Sequence, residues 1–452
     1  MSSKTNRQRE KNARRGGPSA IHDKLVVAIR RHQEGAVDQA AKTYREVLQA
    51  SPDHVDALHF LGVAEHQLGR SEQALTLLDR ALTLQADHPD ALNNRGNVLK
   101  KLRRLDEAET DYRRVLALRP NDANALNNLG TVRRERGDLE GAVATLREAI
   151  AVKPDHAAAW QNLGNALGSL QRVEEALEAH REAMRLAPQS ADSYRYLGAV
   201  LYANGRIEEA TEIYGQWLAL FPDDPRAQHL VAACSGQAVP GRASDAYVRY
   251  EFDSFASSFD DSLARLDYRA PTLVAGVVAE IFGAPAAHLA ILDAGCGTGL
   301  CGPLLRPFAR TLAGVDLSTA MVALASDRHV YDTLVVEELT AFLRSQGASC
   351  DLIVSTDTLV YFGELNQVSA AAALALRPGG RMIFTVERCQ PEQAPIGYRL
   401  NPHGRYSHTR DYLAAVLAQA GFGAPDIREV CLRKEAEKWV DGWLVSACKA
   451  YN

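Results

Sequence analysis

No apolar run in the 452 residues approaches the ~20 that a helix needs to cross a bilayer. Nor does a hydrophobic segment follow the basic residues of Met1 to Gly17, so the N-terminus does not read as a secretory signal. Cysteine is sparse: Cys234, Cys296, Cys301, Cys350, Cys389, Cys431 and Cys448 are an odd number, and none stands in a C-x-x-C pair. These absences argue against a disulfide scaffold and a zinc framework, and they predict a reduced, cytoplasmic setting with no bound metal. Positive charge is not in excess either. With 51 Lys and Arg against 56 Asp and Glu, the net charge is −5, which argues against nucleic acid as the main partner. The local exception is Met1 to Gly17, where six basic residues face only Glu10. Residues 1–20 are read as a disordered, solvated tail, with docking to an anionic surface as the alternative.

What is present fits a soluble globular protein of two or three domains, 46% hydrophobic and 24% charged. The N-terminal half repeats itself every 34 residues. One column reads Ala28, Gly62, Gly96, Gly130, Gly164, Gly198, and another, twelve residues on, reads Ala40, Ala74, Ala108, Ala142, Ala176, Ala210. Small residues recur where two helices cross closely. Pro52, Pro120, Pro154, Pro188 and Pro222 end successive units, and Gly35, Gly69, Gly137 and Gly205 mark the turn inside them. Each unit is therefore a helix-turn-helix, and the pattern resembles the tetratricopeptide repeat. Six units, residues 21–224, exceed the three or so that a stable stack requires.

The resemblance implies a right-handed superhelix whose first helices line a concave groove for a protein or peptide. Along that helix runs the column Phe60, Asn94, Asn128, Asn162, Tyr196. An amide carries a donor and an acceptor, so Asn94, Asn128 and Asn162 are candidate peptide-binding residues. The pattern is similar to the repeats of O-linked N-acetylglucosamine transferase, whose asparagines hold substrate backbone. The alternative is that the three amides bridge neighbouring repeats.

Residues 225–244 have the composition of a linker. Beyond them, residues 245–452 begin with Tyr247, Tyr250, Phe252, Phe255, Phe259 and Tyr268, read either as a lid over a site, with Tyr247 and Tyr268 its candidate residues, or as helices packed on the domain. The most informative stretch follows. The apolar run Ile291-Leu-Asp-Ala enters a loop with Gly295, Gly297 and Gly299, and Asp316 ends the next apolar run, 21 residues after Gly295. Glycines at that spacing allow a sharp turn and a ligand against bare peptide, while Asp316 is placed to accept from ribose hydroxyls. A dinucleotide loop spaces its glycines G-x-G-x-x-G to meet pyrophosphate; here the spacing is G-x-G-x-G, and Asp293 would repel pyrophosphate but suit an ammonium.

This loop resembles motif I of the class I S-adenosylmethionine-dependent methyltransferases. Further residues agree: strands read at 289–293, 311–315, 333–336, 351–355, 381–386, 426–432 and 441–448, and the turn Leu376-Arg-Pro-Gly-Gly380 before the fifth. The resemblance implies a Rossmann-like, seven-stranded α/β fold after the all-α superhelix, with S-adenosylmethionine held by Asp293, Gly295, Gly297, Gly299, Asp316, Leu317 and Glu338. Of Glu337 and Glu338, extended backbone lets one face the pocket, and the family motif favours Glu338. The fourth strand opens into Thr356-Asp357-Thr-Leu-Val-Tyr361, making Asp357 and Tyr361 acceptor-side candidates. The insert Gly397 to His408 supplies His403 and His408 as candidate bases and Arg405 as a grip for an anion. Thr356-Asp-Thr-Leu is not the N/D-P-P-Y/F of adenine or glutamine amino methyltransferases, and no Pro-Cys nucleophile is present for cytosine chemistry. The chain also looks like a bacterial group of predicted methyltransferases bearing these repeats. Two functions follow: a methyltransferase acting on a small molecule, a carrier-bound acid or a protein brought by the repeats, or a non-catalytic adaptor whose methyltransferase fold binds ligand without turnover.

Overall fold

A computed structural model describes residues 18–435 and 438–451. The predicted basic tail lies outside the described residues up to Gly17, and helix begins at Pro18. The chain divides into two compact units, Met1–Val200 and Leu201–Asn452, with the division inside helix Ala191–Ala203.

In the first unit, helices pair as the 34-residue period predicts: Pro18–Gln33 with Val37–Ala50, Val55–Gln67 with Ser71–Leu84, Pro89–Lys101 with Leu105–Leu118, Ala123–Glu135 with Leu139–Val152, and Ala157–Ser169 with Val173–Leu186. The start of three of these first helices is set by a side chain in the same column. His54, His88 and Asp122 each accept the amide three residues on, from Ala57, Ala91 and Ala125, satisfying a donor that the helix cannot. The small-residue column has a direct cause. A Cβ on Gly62, Gly96, Gly130 or Gly164 would come within 2.8, 2.6, 2.6 and 2.7 Å of Leu78, Tyr112, Leu146 and His180, the side chains that the second helix inserts there. Ala74, Ala108, Ala142 and Ala176 are wholly buried in the same crossings.

His180 is the exception in that inserted column. It is 1% exposed, stacked on Tyr196, and neither ring nitrogen has a hydrogen-bond partner. Burial holds its pKa down at about 4, against an ordinary 6.5. A histidine neutral in the fold and cationic in the unfolded chain gives stability that is complete above pH 6.5 and lost as pH falls toward 4. His180→Leu, which copies Leu78 and Leu146, is expected to raise stability at pH 5 by about 2 kcal/mol and to do less at pH 8. Urea denaturation at the two pH values measures it; an equal gain at both would locate the effect in packing alone.

The second unit contains helices Ile207–Leu220 and Pro225–Ser235 before the α/β part. Pro225–Ser235 corrects the expected linker over 225–244: Asp224 caps it, Ala232 and Ala233 pack on Leu400 and Tyr406, and His229 Nε2 lies 2.8 Å from the Gly404 carbonyl oxygen. Only 236–244 lacks a helix or strand. The sheet comprises β1 Leu289–Ala294, β2 Ala309–Asp316, β3 Thr333–Val336, β4 Cys350–Ser355, β5 Leu376–Arg388, β6 Tyr398–Leu400, β7 Tyr406–His408, β8 Asp426–Glu435 and β9 Lys438–Cys448. Its order is β3-β2-β1-β4-β5-β7-β6, parallel from β3 to β5, with β9 antiparallel to β5 and β8 antiparallel to β9. All seven predicted strands are present, and β6 and β7 enlarge the sheet to nine. Two residues at the β8–β9 tip, 436 and 437, lie outside the described residues. The strand order reverses between β1 and β4, and this switch point opens a crevice at their carboxyl ends.

Candidate active site

That crevice is a cavity of about 330 Å³, within the range of small-molecule sites. Its floor is the loop after β1. The amides of Gly295 and Cys296 donate to Val315 O, and that of Gly297 donates to Asp316 Oδ2 at 2.9 Å. Asp316 Oδ1 accepts the Ser318 amide at 2.9 Å, and the carboxylate lines the cavity. Burial pushes the Asp316 carboxyl up, against these amides.

The three glycines have different reasons. Gly297, at φ +54°, has nothing within 4 Å of the place a Cβ would take. It faces open space. At Gly295 a Cβ would strike Thr358, and at Gly299 it would press on Tyr331 and Arg328. Those two glycines admit the protein's own side chains, and Gly299 is not among the residues lining the cavity. Asp293 does not line it either. Its carboxylate is fully buried beneath the loop, Oδ2 accepts from the Tyr331 hydroxyl at 2.6 Å, and Oδ1 has no partner. Burial raises its pKa to about 7.

Leu317, Glu337 and Glu338 line the opposite edge of the loop. Glu338 caps helix Leu339–Ser345 through Oε2, which accepts the Ala341 amide at 2.9 Å; Oε1 is buried, 3.6 Å from Arg242, and makes no hydrogen bond. Against burial, the amides of Thr340 and Ala341 keep its pKa low, so the free oxygen is anionic.

At the other end stand Asp357 and Tyr361. Asp357 has φ +51°, unusual for a residue with a Cβ, and is fixed by Thr385 Oγ1 at 2.8 Å and Arg433 Nη1 at 2.8 Å. Burial pushes its carboxyl up, while Arg433 pulls it down. Tyr361 packs edge-on to Phe252, and burial raises its hydroxyl to about 12.

The structure corrects both candidate histidines. His408 is wholly buried on β7, stacked on Tyr412, with Nε2 3.2 Å from Gly363 O; burial lowers its pKa to about 4. His403 takes the Arg405 amide on Nδ1, stands 3.4 Å from Glu387, and is lowered to about 4 by burial and by Arg405. Neither lines the cavity. Arg405, expected to grip an anion, is itself gripped by Glu387 at 2.6 Å and Glu435 at 2.7 Å. Of the aromatics, Tyr268, Phe252, Phe255 and Phe259 line the cavity, whereas Tyr247 stacks on His229 at 4.0 Å.

A residue that the sequence reading missed organises this end. Arg433 on β8 is 5% exposed and binds Asp357, Glu387 and Glu435 together. Burial would raise Glu387, but Arg405, His403 and Arg433 bring it down to about 2. Its folded pKa lies below the ordinary 4.5, so the stability it provides is present above pH 4.5 and lost as pH falls toward 2. Arg433→Met leaves three carboxylates without that partner. It is expected to cost about 3–5 kcal/mol at pH 7 and to lose much of the acid dependence between pH 4.5 and 2, as read by urea denaturation.

In the repeats, the three asparagines are already bonded to the preceding unit. Asn94 Nδ2 lies 2.7 Å from His59 Nε2, Asn128 Nδ2 donates to Asn93 Oδ1 at 3.1 Å, and Asn162 Nδ2 donates to Asn127 Oδ1 at 2.8 Å. Bridging is therefore one role of this column. Asn128→Ala and Asn162→Ala are each expected to lower stability by about 1 kcal/mol in thermal or urea melts; unchanged melts would leave the bridges without energetic weight.

Fold and cavity define a repeat array followed by a largely parallel α/β sheet with a crevice at its switch point, and comparison with known proteins agrees. A family model described as "Methyltransferase domain" matches residues 292–384, and models described as "Tetratricopeptide repeat" match 31–95, 87–155, 127–191 and 169–234. The chain thus joins tetratricopeptide repeats to a methyltransferase domain, and the repeat match runs into the helix Pro225–Ser235. It is 27% identical over 156 residues to a ubiquinone biosynthesis O-methyltransferase of Bordetella avium, covering 30% of this chain and 64% of that protein. It is 37% identical over 84 residues to the human methyltransferase-like protein 27, covering 18% of this chain and 34% of that protein. The chain spans between about a third and two thirds of the curated relatives it matches. Among solved structures it is similar to PilW, a type IV pilus biogenesis factor, at 20% identity over 48% of this chain and 100% of that one, with a TM-score of 0.45.

Proposed function

We propose that the chain is an S-adenosylmethionine-dependent methyltransferase of the cytoplasm whose repeats dock a protein or peptide, either the methyl acceptor or a partner that delivers it. The observation that carries the cofactor reading is the pairing of an open glycine with acceptors at the cavity: Gly297 bare toward it, Asp316 lining it, and Glu338 Oε1 buried without a hydrogen bond. These suit ribose hydroxyls and an adenine amino group. Charge supports the same choice. Six carboxylates, Glu251, Asp316, Glu337, Glu338, Asp357 and Glu435, line the cavity against Arg242, Arg405 and Arg433. An anionic wall favours a cationic ligand over pyrophosphate. Asp293 serves this reading from below the loop, bracing Tyr331 rather than meeting an ammonium in the cavity.

When bound, the cofactor supplies an electrophilic methyl carbon on a sulfonium. The chain's own part is alignment and control of a proton. Asp357, held by Thr385 and Arg433, accepts a hydrogen bond from an acceptor hydroxyl or amine. Tyr361, raised to about 12, stays protonated at neutral pH and orients the same group. Phe252, Phe255 and Phe259 keep water away. In the repeats, Asn94, Asn128 and Asn162 offer amide oxygens to a docked peptide while their nitrogens bridge repeats.

Calorimetric titration of the full chain with S-adenosylmethionine tests the reading. The wild type is expected to bind, with Asp316→Ala and Glu338→Gln each about tenfold weaker or worse. Absence of heat with the wild type would remove the cofactor and the activity together.

A further inference from the structure

Residues 244–268 cross the cavity between two fixed ends. At one end the Ala243 amide donates to Tyr361 O at 2.8 Å; at the other the Lys434 amide donates to Leu266 O at 2.6 Å and the Arg269 amide to Leu432 O at 2.9 Å. Between them lie helix Asp245–Phe255, started by the Ser244 cap, a short turn, and helix Phe259–Arg265, which ends at Asp267 with φ +49°. The apolar side chains Phe252, Phe255, Phe259 and Leu263 line the cavity, so this face rests on the space a ligand would fill.

Two polar attachments hold the middle. Asp260 accepts from Thr298 Oγ1 at 2.5 Å and from the Arg328 guanidinium, and Arg328 Nε in turn donates to Thr298 O. This closes a ring around a residue of the glycine loop. Asp253 accepts from Ser318 Oγ and from the Ala320 amide at 3.2 Å, at the first turn of helix Thr319–Asp327. Both aspartates are exposed.

We propose that Asp260 and Asp253 are the two points of a latch that closes residues 244–268 over the cofactor, and that breaking them admits and releases it. The proposal rests on the S-adenosylmethionine reading above. Three observations carry it. The attachments are made to the two loops that line the cofactor end, after β1 and after β2, and not to the sheet interior. Both aspartates and the Asp260–Arg328 ion pair are exposed, and an exposed charged pair contributes too little to hold a domain together. They stand midway between backbone pins, where a segment can lift without losing its ends. An occupied cavity adds contacts to the lid's apolar face, so ligand and closure favour each other.

The experiment is stopped-flow release of S-adenosylmethionine from the full chain: wild type, Asp260→Asn, Arg328→Gln, the double variant, and Asp253→Asn. Release is expected to speed up about tenfold for Asp260→Asn, and the double variant is expected to be no faster than that single one, because both changes open the same ring. Asp253→Asn, on a separate attachment, is expected to speed release by itself. Hydrogen exchange of residues 245–266 should quicken in the ligand-free variants while β1 and β4 stay protected, a response that a purely stabilising role would not confine to the lid. Wild-type release rates in Asp260→Asn and Asp253→Asn, with wild-type binding intact, would overturn the latch alone. So would independent, multiplicative effects of Asp260→Asn and Arg328→Gln. A wild type that binds no S-adenosylmethionine would overturn the latch together with the reading beneath it.

Discussion

One carboxylate joins the two loops at the glycine end of the cavity. Asp316 takes the Gly297 amide on one oxygen and the Ser318 amide on the other, and so fixes the loop after β1 to the loop after β2. Ser318 then starts helix Thr319–Asp327 by accepting the Met321 amide, and its hydroxyl reaches Asp253 on the segment above. A backbone that must stay bare for a ligand has unpaired amides to satisfy, and a short acid at the end of β2 satisfies two at once. The position of Gly297 and the placing of Ser318, which starts the next helix, both depend on that residue.

The other end of the cavity is built on the opposite principle. There charge is buried and neutralised by charge: Arg433 meets Asp357, Glu387 and Glu435, and Arg405 meets Glu387 and Glu435. Taking so many ions out of water is costly unless every one is paired, and removing one member leaves the rest exposed to that cost. The cluster ties β5, β8, the loop after β4 and the β6–β7 insert into a single wall. Asp357, with its left-handed backbone, is held against that wall. The insert's histidines are explained by the same wall. His403 completes it on one side and His408 packs behind it, so residues that a sequence reader assigns to proton transfer are spent on structure.

The repeats and the seven strand positions were legible because periodicity reports burial directly. A 34-residue column of glycine is readable without coordinates, since only a close helix crossing keeps it small, and Leu78, Tyr112, Leu146 and His180 are the side chains that demand it. Asp316, Gly297 and Glu338 were legible as residues of one crevice for the same reason: each ends or follows an apolar run. Four things were hidden. Strands β6 and β7 are three residues each, too short to show alternation, within an insert rich in Gly and Pro. Arg433 sits in Leu-Arg-Lys-Glu, which reads as a solvated strand end, because partners distant in sequence decide whether a cation is buried. Asp293 carries the family's acid at the family's position, yet its depth beneath the loop depends on Tyr331, 38 residues on. Helix Pro225–Ser235 was masked by its composition, and its docking to Leu400, Tyr406 and Gly404 is a long-range fact.

The contrast between the two ends has a dynamic consequence. Stability is unevenly distributed in proteins, and segments that move are drawn from regions with few buried contacts. Here the acceptor wall is a buried ionic cluster, while residues 244–268 are held over the cavity by exposed aspartates and by aromatic rings facing the ligand space. If the wall moved and the lid were rigid, Asp357 would lose its orientation each time a ligand entered. On the proposed reading, a rigid wall and a mobile lid let entry disturb only bonds that re-form cheaply, and alignment at Asp357 and Tyr361 survives each cycle. The same division explains why the acids differ. Glu387, deep in the wall, is drawn down to about 2 and stays ionised through any cellular pH, whereas Asp260 and Asp253 stand at the surface where water can replace their partners.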